Sequence, residues 1–230
     1  MAQERARSSS RRPGRPRAGE ARLTRERILE LALELVDEEG IDALSMRRLG
    51  SELGVDPMSL YHHLSGKAAV VAGLVELVFA EMESPPSEGQ WDDRVRAWAA
   101  AYRRLAVRHP NLVLQIVSDA AAVSTAMLLI SEPLYRALSD ASLAPVSIVQ
   151  AAGSVVDYVN GFALAEASHS QTVGQEQTLL ARIQAEPGDR LPTLRRVHEA
   201  VADNAEQLTF DSGFEAGIGV IVAGIGASAR

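Results

Sequence analysis

The side chains best arranged for recognition lie in one stretch, "SMRRLGSELGVDPMSLYHHLSGK", Ser45 to Lys67. If Leu60 and Leu64 turn inward on a short helix, Met58, Ser59, Tyr61, His62 and His63 face outward. An outward face of small polar groups with a Tyr and a His suits the major groove of DNA, where base edges present donors, acceptors and thymine methyls. Arg47 and Lys67 flank that face as phosphate partners. The same spacing also fits an ordinary helical hairpin with a solvated polar side, and spacing alone leaves both open.

Catalytic chemistry has no comparable set. The five histidines stand at 62, 63, 109, 169 and 198, without His-Glu-x-x-His spacing, and no Gly-rich phosphate loop follows a strand. Adjacent His62 and His63 diverge on a helix, which is poor metal geometry. Asp92 and Asp93 read as charges at a helix N-terminus. With no cysteine there is no thiolate zinc site, disulfide or Cys nucleophile. No enzyme, resident cofactor or metal is expected.

Two short helices and a tight turn must hold the reading face. Ser45 is an N-cap, Leu49 and Leu53 share a face, and Gly54 stops the first helix in a left-handed residue. Val55 fills the angle between them. Asp56 caps the second helix, and Pro57 takes its first position, where the missing N–H costs nothing. Ser65 is expected to cap the next helix, with Lys67 in its first turn. Upstream, Thr24 starts an amphipathic helix of Ile28, Leu31, Ala32, Leu35 and Val36 that ends at Gly40. Its acidic run Asp37–Glu39 reads as a solvated end, opposed to the helix dipole.

The run "LTRERILELALELVDEEGIDALSMRRLGSELGVDPMSLYHHLSGKAAVVAGLVE" resembles the N-terminal DNA-binding domain of the TetR family of bacterial transcriptional regulators. The likeness rests on the first helix ending in Gly40, on "LSMRRLGSELGV", on "SLYHHL" and on Lys67. It implies contacts to DNA from Ser45 and Arg47 in the first helix of the motif. The recognition helix would contribute Pro57, Met58, Ser59, Tyr61 and His63, with Lys67 as phosphate clamp. The sequence departs from the family at the tip: Pro57 and Met58 offer contact to thymine methyls but no bidentate hydrogen bond.

The chain has 230 residues, 47% hydrophobic but only 4% aromatic, and its abundant Ala, Leu and Val suit an all-α fold. The net charge of −7 is uneven: residues 1–27 hold nine Arg against three Glu, a net of +6, and the remainder carries −13. That polarity turns one end towards phosphate. Residues 1–22 form an Arg-, Ser- and Pro-rich arm expected to be disordered. Its "GRPR", with Arg15 and Arg17, resembles the Gly-Arg-Pro centre of AT-hook peptides, which lie in A·T-rich minor grooves; a generic polybasic tail is the alternative. No signal peptide is visible.

Domain organisation follows: the arm over 1–22, a three-helix DNA-binding domain with a helix-turn-helix over 23–68, and a larger helical ligand-binding and dimerisation domain over 69–230. The spacing predicts a helix over 67–83 with Val71, Leu74, Val75, Val78 and Met82 inward, then a break at "SPPSEG". A helix over 91–108 turns Trp91, Val95, Trp98, Tyr102 and Leu105 to the core, with five arginines outside. "HPN" resets the chain before a short apolar helix through Val117, and Pro133 starts another over 133–140. Residues 145–167 carry a seam of Val149, Ala152, Val156, Val159 and Ala163. Gln150, Ser154, Asp157 and Asn160 make them a poor membrane span. A polar loop or lid over 168–190 and a helix over 192–208 follow. The last helix, 214–227, is too short for a bilayer, and its paired glycines, Gly217 with Gly224 and Gly219 with Gly226, call for another helix close by.

This body resembles, more weakly, the C-terminal domain of the tetracycline-repressor branch, where a long helix and the final helix build a dimeric four-helix bundle. The resemblance implies a cytoplasmic, nucleoid-associated homodimer that reads a palindromic operator in double-stranded DNA. A small-molecule effector would release it, with no membrane partner. Amphipathic placement offers Met82, Tyr102, Gln115, Ser118, Tyr158, Phe162 and His169 as lining of an apolar effector cavity. No His stands where relatives hold a drug-bound magnesium ion, so tetracycline itself is not inferred. The competing reading is an architectural binder of A·T-rich DNA that uses the arm and needs no ligand.

Overall fold

The structure, a computed structural model, describes residues 22–113, 125–170, 181–187, 190–202 and 209–229. Among these residues it is helical, with no strand. The elements are α1 (Arg25–Glu39), a 3-10 turn (Ile41–Ala43), α2 (Met46–Leu53), α3 (Pro57–Leu60), α4 (Lys67–Ala80) and α5 (Trp91–Arg108). They continue as α6 (Thr125–Asp140), α7 (Pro145–Ser170), α8 (Pro192–Ala202) and α9 (Phe210–Ser228). The arm with Arg15 and Arg17 lies outside the described residues, as do Gln115 and Ser118.

Local chemistry sets the helix ends. The Thr24 hydroxyl accepts the Arg27 amide at 3.2 Å, and α1 stops at Gly40, whose φ of 85° a side chain would resist. Thr209 and Ser212 form a reciprocal cap that starts α9 one turn before the expected position and extends it to 19 residues. The predicted Ser65 cap is not made. Gly66 takes that position, without a side-chain bond, because its φ of 145° needs a residue lacking Cβ.

Two layers share one core. α1, α2 and α3 close around Ile28, Ala32, Leu49, Leu60 and Leu64, all buried. α4 lies against α1 on one side and α6 on the other, which is why it buries Val70, Gly73, Leu74, Val75, Val78 and Phe79. Val71 and Met82, expected inward, are only half-buried. Gly73 permits the α1 approach, since a Cβ there would stand 2.7 Å from Leu29 Cδ2. In the body α5 packs on α6 and α7, and α9 packs on α7 and α5.

Several periodicities are displaced for visible reasons. α6 begins well before Pro133, which sits inside the helix and simply forgoes one backbone bond. α7 buries Ala152, Val155, Val159, Asn160 and Ala163, while Val149 is 57% exposed. Arg94 turns inward on α5 to pair with Asp140 and reach the Ser87 carbonyl, so not all five arginines lie outside. Gly217 does not await another helix backbone; the ring of Tyr158 occupies the space a side chain would take.

Candidate nucleic-acid interface

The turn between α2 and α3 is built by contact rather than by flexibility. Gly54 adopts φ 67°, ψ 27°, and its N–H donates back to the carbonyls of α2. The Val55 N–H donates to the Gly50 carbonyl at 2.9 Å. A Cβ on Gly50 would stand 3.0 Å from Pro57 Cγ, so the two helices cross at backbone distance. Asp56 caps α3 through Oδ1, which accepts the Met58 amide at 2.8 Å. α3 is a single turn, Pro57–Leu60, continued by turns through His63.

Buried Leu60 and Leu64 pin this segment, and Met58, Tyr61, His62 and His63 are exposed. Met58 is 67% exposed, an apolar tip that no described residue covers. Pro57 and Ser59 are less exposed beside it. Ser45 accepts the Arg48 amide at 3.1 Å, and its own hydroxyl hydrogen remains available to a phosphate.

The adjacent arginines divide their labour. Arg48 lies between Glu39, at 3.1 Å, and Glu52, at 2.9 Å, so its charge is answered within the protein. Arg47 is exposed and makes no ion pair among the described residues. Lys67 donates to the Ile41 carbonyl at 2.8 Å, a bond that spacing does not reveal. Two of its three N–H groups remain for phosphate. The acidic run at the end of α1 is also employed. Glu39 holds Arg48, and Asp37 Oδ2 lies 2.8 Å from Nδ1 of buried His109. No sequence signal marks His109, because its partner is seventy-two positions away.

The predicted effector residues fall in different neighbourhoods. Tyr158 and Phe162 join Phe210 and Phe214 in one aromatic cluster, with ring centroids 5.3–5.9 Å apart. The Arg103 guanidinium sits 4.8 Å from the Phe214 centroid and bonds Glu166 through two nitrogens, each at 2.8 Å. Those bonds hold its pKa above the ordinary arginine value. Tyr102 faces elsewhere, its hydroxyl donating to Asn160 Oδ1 at 2.9 Å, and burial pushes its pKa up to about 12. Met82 borders a shallow recess of about 30 Å³ with Glu81, Arg104 and Arg108. The side chain of His169 lies outside the described residues.

A separate recess of about 440 Å³ opens between α7 and α9, lined by Ser147, Gln150, Ser154, Val220, Gly224 and Ser228 among others. Among the described residues, none of the predicted effector positions borders it. The helices beside it carry an outward row of Val146, Val149 and Val220, between 57% and 74% exposed, with open space around Gly153, Gly161 and Gly224. By length and composition α7 and α9 could each cross a membrane, which corrects the expectation that the last helix is too short.

Comparison with known proteins agrees with this layout. Residues 28–74 match "Bacterial regulatory proteins, tetR family", and residues 84–229 match "Tetracyclin repressor-like, C-terminal domain". A curated HTH-type transcriptional regulator of Saccharopolyspora erythraea is 31% identical over 212 residues, 90% of this chain and 86% of that protein. The class D tetracycline repressor of Escherichia coli is 37% identical over 92 residues, 39% of this chain and 42% of its own length. Among solved structures, Streptomyces coelicolor ActR in complex with actinorhodin superposes with a TM-score of 0.76 at 28% identity, covering 91% of this chain and 99% of ActR.

Proposed function

Because the chain belongs to the TetR family of bacterial transcriptional regulators, we propose that it is a cytoplasmic, nucleoid-associated repressor. It binds a palindromic operator as a homodimer and leaves it when a small molecule enters the body. One observation carries the reading: the turn Pro57–His63 projects Met58 and Tyr61 beyond its own core, beside the free cation of Arg47. Such a tip fits a major groove and has no other occupant among the described residues. Ser45, Arg47 and Lys67 then meet phosphate, and Pro57, Met58, Ser59, Tyr61 and His63 meet the bases. The arm's Arg15 and Arg17 add contacts in the minor groove.

The outward faces of α7 and α9 support the dimer. In lipid, the exposed Asp157 and Gln150 of α7 would lack partners, whereas a second copy can answer them. Two-fold symmetry then places two reading tips on two half-sites. For the effector, the complex of ActR with actinorhodin supports a small-molecule ligand. Tyr158 and Phe162, the two predicted effector residues that meet, lie half-buried in one aromatic cluster. Release requires the effector to favour the arrangement that cannot bind DNA.

Selection of random duplex DNA by the full-length protein tests this. An enriched palindrome of two half-sites is expected. Asymmetric A·T-rich enrichment would instead favour the architectural reading, which the "GRPR" of the arm motivates.

A further inference from the structure

α4 leaves the DNA-reading layer at Lys67 and enters the body at Ala80, so by itself it is a single strut about which that layer could turn. A second attachment lies off the strut. The Asn111 side-chain amide donates to the carbonyls of Val36, at 2.9 Å, and Asp37, at 3.2 Å. These belong to the last turn of α1, whose carbonyls have no intrahelical partner or compete for one. Two residues earlier, the His109 imidazole sits against the Asp37 carboxylate. Its Nε2 is 3.6 Å from Glu81 Oε2, which Arg108 holds at 2.8 Å. The gripping segment is itself anchored, since Leu112 and Val113 are buried to within 1%. Buried polar groups seldom stay so arranged unless the geometry matters. Among the described residues, Nε2 of His109 and Oδ1 of Asp37 have no hydrogen-bond partner.

We infer that Asn111 and His109 are positioning residues that fix the angle of the reading layer on the body, and through it the half-site spacing that the dimer accepts. A layer held at one point can swing to meet half-sites at several separations; one held at two points cannot. The inference rests on the two-half-site reading above.

The test measures affinity of the full-length protein for its selected operator and for versions with one base pair inserted or deleted between the half-sites. Wild type is expected to lose at least about tenfold for either change, a change of about 1.4 kcal/mol. Asn111→Ala and, independently, His109→Gln should compress that loss to about threefold or less, with unchanged melting profile and dimer mass. A purely structural role would lower affinity for all spacings equally, and that result overturns the inference. Wild-type spacing preference in both folded variants overturns it too. So does failure of both variants to fold, since the segment would then be core rather than clamp. If wild type accepts no paired half-sites at all, the repressor reading fails first and takes the inference with it.

Discussion

Gly50 and Pro57 meet so closely that a Cβ on Gly50 would stand 3.0 Å from Pro57 Cγ, tighter than ordinary van der Waals contact. The bend of the helix-turn-helix therefore depends on an absence of atoms on α2. Gly50→Val should push α3 off α2 and abolish specific operator binding at a cost of about 1–3 kcal/mol in stability. Gel-shift titration beside a thermal melt checks this, and full affinity would show that the bend tolerates a wider crossing.

Arg47 and Arg48 are neighbours in sequence and opposites in circumstance. Arg47→Ala should weaken binding to all sequences alike and reduce the salt slope of binding by about one for each phosphate that Arg47 neutralises. Arg48→Ala should leave the slope unchanged, because Glu39 and Glu52 already neutralise that charge. Equal slopes for the two variants would contradict the assignment.

Removing residues 1–22 should lower affinity and flatten its salt dependence, since seven arginines lie in that arm. Binding measured across a salt series decides it, and an unchanged slope would mean that the arm meets no phosphate.

Burial raises the Tyr102 pKa from 10.0 to about 12. Between those values the folded chain keeps a proton that the unfolded chain has released, so stability must fall as pH rises from 10 to 12. The loss is on the order of 2–3 kcal/mol. Tyr102→Phe removes this alkaline step and leaves Asn160 Oδ1 without its donor, costing about 1–3 kcal/mol at neutral pH. Denaturant titrations at about pH 8 and about pH 11 separate the two effects; a variant that keeps the full alkaline step would exclude Tyr102 as its source.

Gly224 has nothing within 4 Å of its would-be Cβ, so Gly224→Leu is compatible with a single folded chain. If α7 and α9 meet a second copy, the added side chain obstructs it. Sedimentation velocity should then show a monomer with unchanged helical content. A dimer of wild-type affinity would place the contact elsewhere.

The reading layer was legible because its signals are local. Ser45, Gly54, Asp56 and Pro57 each act within a few residues, and all four hold the predicted positions. Leu49, Leu60 and Leu64 are buried as their periodicity requires. The body was less legible, because its buried faces depend on neighbours far along the chain. Arg94 is inside because Asp140 meets it, and the α7 seam is displaced because α5 and α9 cover a different side. Ser65 lost the cap position to Gly66 through a backbone angle that no spacing rule encodes. The clamp at His109 and Asn111 was hidden for the same reason, its partners lying on α1.

The ring of Tyr158 occupies the volume that any side chain at position 217 would need, and its hydroxyl donates to the Phe214 carbonyl one turn away. These two positions can therefore change only together. A larger residue at 217 becomes tolerable once 158 is cut down to Ala or Ser, and either change alone leaves a clash or a hole. In a library randomised at both sites, surviving chains should show the trade as a volume held constant across the pair, a compensation that no single-site scan would reveal.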